Sequence, residues 1–167
     1  LADWIVDLAE HAGHFAQSTS VPGVAQRTGA TIYYVEIFPS TNSVNEENLK
    51  PVLSLMPVPG HVDIVIASEL MEAGRAIQRG LVSREKTTLI ASSHRVYSMA
   101  EKTAMGDGRI DSQQLISAAS DAANRFVCAD YAKLAHESGS LISAVLFGAL
   151  AGVQLLPLAR DQFEAAI

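Results

Sequence analysis

Four residues of one short polar stretch, Gly23, Gln26, Arg27 and Gly29, have the types and spacing of a loop that directs hydrogen bonds. The arginine carries a planar fork of donors suited to a phosphate or carboxylate. The same fork could instead fix the turn by pairing with Glu36 or with a partner subunit. Gln26 reads as structural, satisfying turn backbone groups or an interface. The two glycines supply unusual dihedrals or let another backbone come close. A second candidate is Glu69, which follows the apolar run 63–68, DIVIAS. Open α/β sheets place ligands at such a carboxyl end, although a glutamate there equally stabilises the start of the next helix through its dipole. The third is Ser92-Ser93-His94-Arg95, at the end of another apolar run. This is the best cluster in the chain for binding an anion or shuttling a proton, and its plainer reading is a solvated surface turn.

Other residues with chemical promise are better explained as structure. His11 and His14 lie three apart, but Asp7 and Glu10 precede them by four residues each, so helix-surface pairs account for both. No third ligand of comparable promise completes a metal site. Asp107-Gly108-Arg109-Ile110-Asp111 lacks the early ligands and terminal glutamate of a calcium loop and reads as a turn and helix cap. The lone Cys128 lies within an apolar run and reads as an inert core residue.

The elements that must position these residues follow from hydrophobic periodicity. Residues 3–17 read as a helix with Trp4, Ile5, Leu8, Ala12 and Phe15 on one face. The polar stretch then leads into a strand over 31–38, rich in β-branched and aromatic residues. Four of the six prolines fall in 39–61, which reads as a loop with a short turn of helix over 46–56. Residues 63–68, 87–91 and 126–130 are continuous apolar runs of the kind found in strands buried on both faces. Helices are expected over 69–81, 112–123 with Ser112 as cap, 131–137, from Gly139 to 155, and in a final piece at 160–167. The run 141–156 is short for a membrane span and reads as a buried helix. Along it Ser140, Ala144, Gly148 and Gly152 form a ridge of small residues, expected to pack within the chain or against a partner helix.

Strands alternating with helices predict an α/β fold: doubly wound and Rossmann-like, with a mostly parallel sheet and helices on both faces. The helix at the start of the chain usually follows a central strand in such folds, so a first strand is expected ahead of Leu1. Residues 1–167 then form a single domain that lacks this strand and its Gly-rich loop.

Composition narrows the function classes. Of 167 residues, 49% are hydrophobic and 18% charged, which excludes a disordered chain. A net charge of −6 with only twelve scattered Lys and Arg residues argues against a nucleic-acid-binding surface. One cysteine excludes an internal disulfide and a cysteine-ligated cluster built by this chain alone. It also fits a reducing, cytoplasmic setting. No signal peptide is evident, because Asp3 and Asp7 interrupt the apolar segment.

The segment Val21-Pro22-Gly23-Val24-Ala25-Gln26-Arg27-Thr28-Gly29, followed by a strand, resembles the Gly-Met-Ala-Gln-Arg-Gly-Gly signature of the 2-oxoacid:acceptor oxidoreductases, in their gamma-type domain. The likeness continues through Asp63 to Ala73. Segments 68–75 and 104–109 are particularly similar to the indolepyruvate oxidoreductase beta-subunit branch of that family. Two departures stand out. The family's Gly-Gly-Gln-Gly loop has no counterpart in these residues, and Val-Pro-Gly replaces the commoner turn before Ala25-Gln26-Arg27.

The resemblance implies a subunit of a thiamine diphosphate and iron–sulfur enzyme that oxidatively decarboxylates indolepyruvate or other arylpyruvates to acyl-CoA, with ferredoxin as electron acceptor. It also implies that thiamine diphosphate and the clusters sit mostly on a partner subunit or domain, and that this chain alone is inactive. Gly106-Asp107-Gly108 is too short to count as a thiamine motif. No nucleic acid or membrane partner is expected, and a homo-oligomer is left open. Set against the enzyme reading are a non-catalytic nucleotide- or CoA-binding module and an assembly subunit.

Overall fold

The computed structural model describes residues 1–21, 31–40, 51–97, 99–105 and 108–167. Helix α1 spans Ala2–His11 and buries Ile5, Leu8 and Ala9. It stops short of the expected end at 17, because Gly13 takes φ +83° and the next residues become strand β1, Phe15–Val21. Strand β2, Ile32–Phe38, pairs antiparallel with β1 in the register Phe15↔Phe38 to Val21↔Ile32. The expected helix-to-strand junction is therefore a connection between two antiparallel strands, and 15–17 belong to a strand. Phe15 had extended the apolar stripe of α1 in sequence, but its side chain is largely exposed on the hairpin. Residues 51–58 run along the hairpin, where Gln17 Nε2 donates to the Ser54 carbonyl at 3.2 Å and Thr19 Oγ1 to that of Leu55 at 2.8 Å. Residues 51–56 form no helix.

The three apolar runs form one parallel sheet in the order β3-β4-β5, with β3 at Ile64–Ala67, β4 at Thr88–Ser92 and β5 at Arg125–Ala129. The register sets Ile64 beside Thr88 and Thr88 beside Arg125. Helix α2, Leu70–Gln78, connects β3 to β4. Helices α3, Met99–Thr103, and α4, Ser112–Ala122, lie between β4 and β5. Three more follow: α5, Tyr131–Glu137, α6, Ile142–Val153, and α7, Arg160–Ala165. The cap of α4 is Asp111, whose carboxylate accepts from the Gln113 amide at 2.8 Å, rather than Ser112. A carboxylate reaches the amide of the second helical residue in this way and satisfies an orphan donor.

Strand period two divides the core into two layers. Ile64, Ile66, Ile90, Val127 and Ala129 face α1, α6 and α7. There Phe147 is fully buried, edge-on to Trp4 at 5.8 Å and tilted against Phe163 at 5.1 Å. Val65, Ala67, Leu89, Ala91 and Phe126 face α2 and α4, where Ala73 and Ala119 allow close approach. A sheet with helices on both faces is the Rossmann-like, doubly wound arrangement, to which the hairpin adds an antiparallel element.

Helix α6 buries Leu146, Phe147, Leu150 and Val153. Its ridge of small residues does not pack within the chain at its glycines. Gly148 and Gly152 are exposed, and a Cβ built on either meets no atom within 4 Å. Among the described residues, no single helix is long and apolar enough to cross a membrane.

Candidate functional site

The carboxyl ends of β3 and β4 bring together Glu69, Ser92, His94 and Arg95. Glu69 caps α2. Its Oε2 accepts the Met71 amide at 2.8 Å, its Oε1 the Glu72 amide at 2.7 Å, and Oε2 also accepts the Val96 amide at 3.4 Å. The Leu70 amide donates to the His94 carbonyl at 3.0 Å. One buried carboxylate thus ties the segment leaving β4 to the first turn of α2, where helix-end charge and orphan amides both favour an anion.

Ser92 is fully buried at the last position of β4. Its oxygen accepts the Tyr131 amide at 3.1 Å and lies 2.8 Å from Nδ1 of His94. The hydroxyl oxygen can both donate one hydrogen bond and accept two, so Ser92 holds Nδ1 of His94 in either tautomer. The next residue, Ser93, donates its amide to the Ala129 carbonyl at 2.9 Å, extending the β4–β5 pairing. His94 itself is half-buried.

The Arg95 side chain turns inward and is 8% exposed, with its ion-pair partner Glu101 at 4%. The guanidinium also donates to the Ile110 carbonyl and lies 3.5 Å from Ser112 Oγ and 3.3 Å from Met71 Sδ. Tyr97 lies across it, with the ring centroid 5.3 Å away. Glu101 Oε1 in turn accepts the Ile110 amide at 3.3 Å. Arg95 and Glu101 therefore tie the residues after β4 and helix α3 to Ile110 and to the starts of α2 and α4. Of the Arg95 donors, Nε is buried with no partner among the described residues. Most of the arginine's charge is balanced by Glu101, so the half-exposed group this cluster presents is the His94 imidazole.

Sequence reasoning did not single out Glu101 or Tyr131. Glu101 lies six residues after Arg95, across a segment with no clear periodicity, so no spacing rule pairs the two. The other predicted group, Gly23, Gln26, Arg27 and Gly29, lies outside the described residues.

Elsewhere, His11 Nδ1 lies 2.8 Å from the Asp7 carbonyl and 3.3 Å from its carboxylate, the expected helix pair. His14 Nδ1 accepts the Ser40 amide at 3.3 Å. Among the described residues, no group of three or more His, Cys, Asp and Glu side chains is placed to hold a metal ion. Burial pushes the Cys128 thiol up, which disfavours the thiolate that a cluster or a nucleophile requires. One such cysteine does not fit an iron–sulfur cluster, which needs about four thiolates.

A model of the family described as pyruvate ferredoxin/flavodoxin oxidoreductase matches residues 1–167. No curated protein sequence matches the chain.

Proposed function

The chain belongs to the pyruvate ferredoxin/flavodoxin oxidoreductase family, and we propose that within it this polypeptide is the gamma-type component of an enzyme acting on indolepyruvate or other arylpyruvates. Membership carries the coarser statement: a component of a 2-oxoacid:ferredoxin oxidoreductase. The arylpyruvate reading rests on the likeness of 68–75 and 104–109 to the indolepyruvate branch. In that reaction the carboxylate leaves as carbon dioxide, the acyl group passes to CoA, and the electrons pass to ferredoxin. Thiamine diphosphate and the clusters would be held by a partner subunit and would supply the decarboxylation and electron chemistry there; the one cysteine of this chain does not suit a cluster.

What this chain contributes is positional. Arg95 and Glu101 hold the end of the sheet in one arrangement, and Ser92 orients the half-exposed His94 ring toward a polar or anionic group. Either CoA or a partner carboxylate would satisfy it. Docking is supported by the hairpin and the segment beside it, where Tyr33, Phe38, Val52, Leu55, Met56 and Val58 are all exposed. Apolar side chains grouped in this way mark interaction surfaces.

Reconstitution tests the reading. The chain is mixed with a thiamine- and cluster-bearing partner subunit, and ferredoxin reduction is followed with CoA and indolepyruvate, phenylpyruvate or pyruvate. Arylpyruvate-dependent reduction that needs both polypeptides is expected. A preference for pyruvate removes the substrate assignment and leaves the family. Full activity of the partner alone removes the catalytic role and favours a binding or assembly module.

A further inference from the structure

Glu69 is longer than a helix cap needs to be. The residues that cap helices best are Asp, Asn, Ser and Thr, whose oxygens meet the second and third amides from a short side chain. Glu69 has one methylene more than Asp. It still caps α2, through the amides of Met71 and Glu72, and it also reaches the Val96 amide in the segment that leaves β4. The residue is 8% exposed, so the carboxylate rather than water satisfies these amides.

The extra reach closes a bracket around Arg95. On one side the His94 carbonyl accepts the Leu70 amide at 3.0 Å, and on the other the Val96 amide donates to Glu69 Oε2 at 3.4 Å. The preceding residue is fixed as well, because the Ser93 amide donates to the Ala129 carbonyl at 2.9 Å. His94 is therefore held through its main chain by β5 and the start of α2, and through its ring by Ser92 at the end of β4. A solvated turn requires none of these ties. The second ring nitrogen, Nε2, has no partner among the described residues. Neither Glu69 nor His94 lines the cleft of about 1230 Å³ beside β3, so the half-exposed ring is offered at the surface. A group fixed on its inner side and open on its outer side is preorganised for a contact.

We propose that Glu69 is a positioning residue for His94: its length beyond that of a cap holds the main chain of 94–96 and so fixes the direction in which the imidazole meets an anionic group. The inference rests on the reading of His94 under the proposed function. Cap and bracket make different demands on one side chain. The cap needs a carboxylate close to the α2 amides, and the bracket needs reach.

Two substitutions separate these demands in the enzyme assembled with its thiamine- and cluster-bearing partner. Glu69→Asp keeps a good cap but falls short of Val96, whereas Glu69→Gln keeps the reach and weakens the cap. In Glu69→Asp the amides of Leu70 and Val96 should exchange at least about tenfold faster while those of Met71 and Glu72 hold. The ring signals of isotope-labelled His94 should report greater mobility, and ferredoxin reduction should fall on the order of tenfold. In Glu69→Gln the Glu72 amide should exchange faster, and activity should fall less than in Glu69→Asp. The loss caused by Glu69→Asp should disappear in a His94→Ala background, because Glu69 acts through that ring. Unchanged exchange at Val96 in Glu69→Asp overturns the proposal. So does a larger activity loss in Glu69→Gln, or an equal loss from Glu69→Asp with and without His94. Full activity of His94→Ala alone removes the reading of His94 itself, and the role assigned to Glu69 falls with it.

Discussion

The buried hydroxyl of Ser92 lies 2.8 Å from Nδ1 of His94, and the same oxygen takes the amide of Tyr131. Three elements meet at this one atom: the end of β4, the segment that leaves it and the start of α5. Burial of that oxygen leaves the Tyr131 amide dependent on it, and the same oxygen holds one edge of the half-exposed His94 ring.

Ser92→Ala should therefore lower stability by about 1–3 kcal/mol, because it strands the Tyr131 amide as well as removing the bond to His94. Denaturant unfolding of the isolated chain measures the loss. Ser92→Thr, which keeps the hydroxyl, should recover part of it. A midpoint unmoved by the alanine variant would show that the hydroxyl does not organise this corner.

The Arg95–Glu101 pair should behave as a buried ion pair. Arg95→Met or Glu101→Leu alone should cost about 3–5 kcal/mol, since each removes one member of a buried ion pair. The double variant Arg95→Met/Glu101→Leu should be less destabilised than the sum of its parts. A double-mutant cycle measures the coupling, and additive losses would mean that the two side chains act independently.

Stability should fall in alkaline solution. Tyr34 and Tyr131 both have pKa values raised above 10.0, chiefly by burial, with Glu36 and Asp63 adding to the shift of Tyr34 and Cys128 to that of Tyr131. A folded-state pKa above the unfolded one contributes stability that is complete below the unfolded value and lost as pH rises through the folded one. With the Cys128 thiol raised by burial as well, urea midpoints should hold up to about pH 8.5, begin to fall there and drop further above about pH 10. Tyr131→Phe should flatten that drop, and an identical alkaline profile in the variant would remove Tyr131 from the explanation.

Arg27→Ala tests the residue that sequence reasoning favours most in the polar stretch. The isolated chain should unfold as before, while the assembled enzyme loses on the order of tenfold or more in activity if a charge-assisted contact is removed. Arg27→Lys should recover little where the contact is bidentate. Unchanged activity in the reconstituted enzyme would exclude a ligand contact.

The three parallel strands were legible because each is a short apolar run bounded by polar residues, and α5 was legible at 131–137 because its periodicity is local. The stretch around 15–21 was not. Phe15 continues the three-and-four spacing of Trp4, Ile5, Leu8 and Ala12, and nothing within the segment opposes a helix strongly. What makes it a strand is pairing with 32–38, far along the chain. In the candidate site, Glu69 and Ser92-His94-Arg95 were visible as polar residues ending apolar runs. Glu101 was not, because its role depends on its meeting Arg95 and Ile110 in the fold.

By itself, the sequence of this protein determines which segments are strands of the parallel sheet, which faces of its helices are apolar, and that one cysteine cannot build a cluster. These are properties of local side-chain pattern and of composition. Only the tertiary structure decided that Arg95 turns inward to Glu101, that Ser92 contacts His94, and that among the described residues the apolar strand β3 ends its sheet beside an open cleft. Each of those depends on which distant backbone groups are left to pair, and hydrogen bonds between residues remote in sequence leave no trace in local periodicity.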